Sequence, residues 1–259
     1  MEEETPGSKL QELLESPKSR RHFLTGAAVI AASTGLAPVA ASASTLGRSA
    51  AKGMPESTTE ILDIAATAEA AAVTALYHVH LAVNHNKLNT AGIAIPVKTL
   101  IQIVRGILRQ EQDHYAFLTG AGGKPSLTSF SFPPDIFTSA KKALQFLETA
   151  DTIFTAAYMA ATREFAQGGL SKLAQYSYQI GATEAEHRVL ARAGLGKQPN
   201  NRSFERDLFP NRVKGAVTVL SHLGILKPGL AYPGAMAVDN ILAHSFDHDK
   251  TAHIIQRHP

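Results

Sequence analysis

The chain has 259 residues, 44% of them hydrophobic, enough for a substantial core in one or two domains. Its 25 basic and 22 acidic residues give a net charge of +3 spread without a basic stripe, which argues against a nucleic-acid partner. Cysteine is absent, excluding disulfides, thiolate metal sites, iron–sulfur clusters and thiol catalysis, while abundant alanine and no tryptophan favour close helix packing.

Residues 19–24 read SRRHFL, a mildly apolar run follows at 25–40, and Ala41-Ser42-Ala43 offers a small-x-small cleavage site. A twin-arginine pair, a short apolar region and such a site form a bacterial export signal. The run is too short and too rich in Gly, Ser and Thr to span a membrane. The expectation is a signal at 1–43 and a mature protein beginning near Ser44, periplasmic or extracellular, with no stable membrane span.

Residues 44–56 read as a Ser/Gly/Ala-rich lead-in. Ser57-Thr58-Thr59-Glu60 is a capping-box sequence that opens a first helix running to about residue 87. After a break at Asn86–Gly92, a second helix runs from about Pro96 to the glycines at 120–123. Residues 120–134 lack helical period and form a long connection. The run GAGGKP at 120–125 lacks G-K-[S/T] and a preceding strand, so it reads as a helix stop. A third helix is expected from a cap at Asp135, and Gly168-Gly169 separates it from a fourth, from Leu170 to Ala193. Connections of short, long and short length describe an all-α four-helix bundle with one crossover between helices 2 and 3. Residues 197–259 form a C-terminal extension of unassigned role, with short helices expected at Val213–Leu223 and Ala237–Ile255.

Two copies of Glu-x-x-His stand out, Glu111/His114 and Glu184/His187. Residues three apart share a helix face, so each pair can offer an oxygen and a nitrogen to one ion. Glu69 and Glu111 lie inside apolar stripes, where a lone carboxylate would cost several kcal/mol unless it protonates or finds a cation. In the fourth helix Ile180 and Leu190 flank the motif. Reflecting each motif through the turn before it supplies a partner at the same height: Glu69 for the first pair and Asp151 for the second. Glu148, one turn earlier, has the longer side chain but sits about 5 Å off level. Carboxylates and imidazoles without thiolate suit two ions of iron or manganese. Tyr77 and Tyr158 share the inner face, where packing is the more ordinary role for tyrosine. His80 shares the face of Glu69, His78 and His85 are expected in solvent, and His244, Asp247, His248 and His253 read as a solvated tail.

The stretches EQDHYAFL at 111–118, FSFPPDIF at 130–137, AAY at 156–158 and EAEHRVLARAGLG at 184–196 resemble bacterial ferritin-like domain proteins related to plant desiccation-associated proteins. The resemblance covers roughly residues 57–196 and implies a ferritin-like bundle. By residue-wise carry-over it places metal ligands at Glu69, Glu111, His114, Glu184 and His187. The family has a glutamate seven residues before the AAY tyrosine, where this chain has Asp151. Two function classes follow: a dimetal oxidoreductase reacting with oxygen or peroxide in a stress setting, and a metal-free structural or binding protein that kept the bundle. A homo-oligomer is left open, and no feature argues for a shell that stores mineral.

Overall fold

Ser57 opens the first helix as its sequence requires. Its hydroxyl accepts from the Glu60 amide, and the Glu60 carboxylate accepts from the Ser57 amide, closing a capping box. A computed structural model describes residues 55–210 and 212–244. The expected export signal, most of the expected lead-in, the expected end of the last helix and Asp247, His248 and His253 of the C-terminal histidine group lie outside the described residues.

Four long helices form the bundle: α1 (Thr58–Asn84), α2 (Val97–Gly120), α3 (Ala140–Gln167) and α4 (Ser171–Gly194). The bounds follow the expected ones to within a few residues, except at the start of α3. There Pro134–Phe137 makes a separate 3-10 turn, and the cap is Ser139, whose hydroxyl accepts from the Lys142 amide. Asp135 therefore lies inside the turn and does not cap the helix; Pro133 and Pro134 at the start favour that tight turn.

Backbone hydrogen bonds fix the course of the chain. The α1–α2 loop is tied to the top of the second pair, with the Ala140 amide donating to Asn89 and the Ala94 amide to Gly194. At the other end, Gly122 takes the left-handed conformation (φ 102°). Nearby, the Lys124 amide donates to the Asp63 carboxylate and the Ser126 amide to the Thr67 hydroxyl. The crossover thus begins beside the start of α1 and finishes beside its end. It runs the length of the bundle, so α2 and α3 point the same way.

The C-terminal extension folds back onto this frame. The helix α5 (Lys214–His222) is stopped at Gly224, which has φ 76°. A two-residue strand β1 (Ser129–Phe130) in the crossover pairs antiparallel with β2 (Leu230–Ala231), a pairing too short to leave a sequence pattern. The last described helix, α6 (Ala235–His244), meets α2 through Arg109–Asp239 and through Arg105 donating to the Leu242 carbonyl. Among the described residues, no helix is long and apolar enough to cross a membrane.

Candidate metal centre

Each bundle helix brings one or two carboxylate or imidazole side chains to one cluster inside the bundle. Glu69 comes from α1, Glu111 and His114 from α2, Asp151 from α3, and Glu184 and His187 from α4. Glu69, Glu111 and Glu184 are fully buried, and Asp151 and His187 are 1% exposed. His114 alone keeps a partly open side chain, at 12%.

These six residues form two overlapping groups. Glu69, Glu111, His114 and Glu184 offer ligand atoms within 4.8 Å of one another, and so do Glu111, Asp151, Glu184 and His187. The two shared carboxylates divide their oxygens between the groups. His114 Nδ1 lies 3.6 Å from Glu111 Oε2 and 3.3 Å from Glu184 Oε1. His187 Nδ1 lies 3.2 Å from Glu111 Oε1 and 3.6 Å from Glu184 Oε2. Each half also has a carboxylate of its own, Glu69 in the first and Asp151 in the second.

Protein hydrogen bonds leave the inner atoms of this cluster unsatisfied. Both oxygens of Glu111 and Glu184, Glu69 Oε2, Asp151 Oδ2 and Nδ1 of both histidines are buried without a partner. Buried polar atoms are normally paired, because an unmet one costs about 1–3 kcal/mol, and eight converging donors fit a site that could hold a metal ion. Oxygen and imidazole donors without sulfur fit iron or manganese.

The outer atoms are held in place. Tyr158, buried on α3, donates its hydroxyl hydrogen to Glu69 Oε1 and leaves Oε2 turned inward. His187 Nε2 lies 2.9 Å from Gln110 Oε1. With that oxygen as acceptor, Nε2 carries a hydrogen, which leaves Nδ1 as the nitrogen that would present its lone pair to a cation. Gly181 permits the close approach of α4 to α3, since a Cβ there would stand 3.0 Å from Tyr158 Cβ.

Without a cation, protons carry the electrostatic burden. Burial raises the Glu69 carboxyl well above its usual range, and the neighbouring Glu111 adds to the effect. Burial likewise raises Asp151 and the Tyr158 hydroxyl. For both histidines burial opposes the charge, but the carboxylates of Glu111 and Glu184 facing them outweigh it and hold the imidazoles protonated above their ordinary range. A bound cation would displace these protons.

Glu148, the rival third-helix ligand, is not in the cluster. It pairs with Arg192 and Lys197 at the edge of α4, and these contacts overcome its burial and hold the carboxyl below its usual value. About one turn nearer the start of α3, it stands level with the end of α4, where its longer side chain meets basic partners.

The neighbours divide differently from the sequence expectation. Tyr158 touches the cluster through Glu69, whereas Tyr77 is half-buried with its ring edge-on to His78. His85 is exposed as expected, but His78 is half-buried against Phe137, and His80 is buried outside both groups. Leu190 is 37% exposed, so Ile180 alone of the two flanking apolar residues joins the core. Gln110 escaped the sequence reading, because a glutamine beside a Glu-x-x-His motif has no distinguishing pattern.

Residues 57–197, more than half of the chain, match the family model described as the ferritin-like domain. Comparison with curated proteins and with solved structures found no match. The match spans all four long helices, their full-length crossover and both halves of the cluster, and the chain belongs to the ferritin-like domain family.

Proposed function

We propose that this protein is exported and carries two ions of iron or manganese for oxidative chemistry with dioxygen or peroxide, in a stress- or desiccation-related role. The observation that carries the reading is the convergence of eight buried, unpartnered donor atoms on one place. Glu69 and His114 would hold one ion and Asp151 and His187 the other, with Glu111 and Glu184 shared. Iron or manganese bound there would supply Lewis acidity and accessible electron-transfer steps.

The chain's own residues then divide the work. Burial of the carboxylates keeps bulk water from the centre, which strengthens every charge interaction within it. Tyr158 keeps a proton on its hydroxyl, directed at Glu69 Oε1. Gln110 fixes the tautomer of His187. His114, with its slightly exposed side chain, marks the side on which the cluster lies nearest to solvent.

Export rests on the SRRHFL sequence with its apolar run and cleavage site. Changing Arg20 and Arg21 together to Lys should retain the precursor in the cytoplasm, and normal export of that variant overturns this part of the reading.

Metal analysis of the natively produced full chain should find about two ions per chain, and clean, folded protein without metal rejects the centre. A second reading, a bundle that kept its frame without the chemistry, is favoured by one detail: Asp151 is a methylene shorter than glutamate, and Glu148 is engaged elsewhere. Melting with and without chelator separates the two, because a working buried site links metal to folding.

A further inference from the structure

After α4 the C-terminal extension forms a strap, residues 198–209, that three arginines hold against the bundle. Arg192 donates to the Gln198 carbonyl, Arg188 to the Asn201 side chain and to Glu205, and Arg163 to the Phe209 carbonyl and to Asp207. Arg188, on α4, is itself buried. Arg163 stands one turn before the end of α3, and the Glu56 amide just ahead of α1 donates to Glu164 beside it. The strap therefore runs from the end of α4 back to the opposite end of the bundle, where α1 begins and α3 ends.

This anchoring decides what the strap shows to solvent. Glu205 and Asp207 are turned to the bundle in ion pairs, and Phe209 is buried. The residues beside them, Phe204, Arg206 and Leu208, are exposed. Phe204 is 90% exposed, more than any other large apolar side chain among the described residues. It sits between Asn201 and Glu205, both bound by the same buried arginine. Fixing the backbone there costs chain entropy, yet the phenyl ring gains no burial in return, so the strap holds Phe204 out.

Basic charge gathers at the same place. The two acidic residues of the strap are engaged by arginines, while Arg206 has no acidic partner among the described residues. Beyond the strap, exposed Arg212 and Lys214 lie beside Glu60 in the first turn of α1, and Lys172 is exposed in the first turn of α4. Residues 197–214 hold five basic residues against two acidic ones, a surplus equal to the net charge of +3 on the whole chain.

We propose that this end of the bundle docks on an anionic lipid surface, with Phe204 and Leu208 entering the headgroup layer and Arg206, Arg212 and Lys214 facing the lipid phosphates. The inference is independent of the metal centre. A stable protein interface needs about 800 Å² on each partner around an apolar middle, and two protruding side chains do not make one. An anionic membrane asks only for shallow apolar insertion and basic residues within a Debye length, which the strap supplies. The attachment is peripheral, since no helix among the described residues is long and apolar enough to cross a membrane.

The experiment is co-sedimentation of natively produced protein, its N-terminus fixed by mass spectrometry, with lipid vesicles. One set is phosphatidylcholine alone and the other an equal mixture with phosphatidylglycerol. Binding to the mixed vesicles is expected, weakened roughly tenfold by Phe204→Ser and about fivefold by Arg206→Gln, and weakened by high salt. Met236→Ser, at an exposed apolar residue of α6, should bind as the parent does. All three positions are exposed, and a cooperative melt confirms that each variant folds. The chain has no tryptophan, so Phe204→Trp carries a single reporter. Its emission should shift to the blue with mixed vesicles and stay unchanged with phosphatidylcholine. Failure to bind mixed vesicles, equal binding to neutral ones, or binding that Phe204→Ser and Arg206→Gln leave unchanged overturns the proposal. Self-association that Phe204→Ser abolishes, without vesicle binding, makes this face a contact between copies of the chain and overturns it as well.

Discussion

Glu111 and Glu184 stand on different helices, and each turns one oxygen toward His114 and the other toward His187. The two halves of the cluster therefore share two carboxylates, while Glu69 and Asp151 each serve one half. This asymmetry gives a stoichiometric test. Glu184→Ala removes a donor from both halves and should reduce bound metal from about two ions to none. Glu69→Ala and Asp151→Ala should each leave about one. Metal analysis of the folded variants checks the pattern, and equal loss in all three contradicts the division.

Tyr158→Phe removes the hydroxyl that donates to Glu69 Oε1 while leaving the ring in place. A buried acceptor left unmet costs about 1–3 kcal/mol, and loss of an outer partner of a metal ligand weakens binding about 10–100-fold. Denaturant unfolding of metal-free protein should show the first effect and competitive metal titration the second. A tyrosine that only packs would leave metal affinity unchanged.

Much of this arrangement was legible before any coordinates. Glu69 and Glu111 lay inside apolar stripes, and helix periodicity with turn position put four helices and one crossover in order. Height alone favoured Asp151 over Glu148, because helical rise is fixed and the turn at Gly168-Gly169 is short. The basic partners of Glu148 were invisible because Arg192 and Lys197 reach it from beyond its own helix. Tyr158 and Tyr77 could not be separated by spacing, since a shared inner face does not say which ring reaches a carboxylate. The β1–β2 pairing and the return of the extension depend on long-range contacts between short, irregular segments, which leave no local period.

Glu164 illustrates such a long-range contact. At the end of α3, buried, it accepts from the Glu56 amide at 3.2 Å and from the Val213 amide at 3.1 Å. Glu56, at the end of the expected lead-in, is buried as well and accepts from the Lys214 amide. Two carboxylates thus clasp the start of α5, where free amides and the helix dipole favour negative charge. Glu164→Ala orphans two amides and should cost about 2–4 kcal/mol in denaturant unfolding. It should also speed limited proteolysis between residues 197 and 213 more than elsewhere. Uniform cleavage kinetics along the chain would argue against a local clasp.

His80 supplies a pH dependence separate from the cluster. Burial, reinforced by the Arg105 charge, lowers the imidazole to about 4, and its Nδ1 has no partner. The unfolded value is about 6.5. The folded state therefore prefers the neutral ring, and below pH 6.5 the unfolded chain binds the extra proton. Stability from this residue is present in full above about 6.5, falls as the pH drops, and is lost once the pH has passed through about 4. The two values correspond to a loss of about 3 kcal/mol at most. His114 and His187 act in the opposite sense in metal-free protein, since their raised values give stability at low pH that is lost as pH rises. Subtracting the stability curve of His80→Gln from that of the parent chain cancels the cluster and isolates the His80 contribution. The difference should be flat above pH 7 and fall steadily toward pH 4; a difference that does not change with pH means that His80 takes up its proton equally readily folded and unfolded, and overturns the prediction.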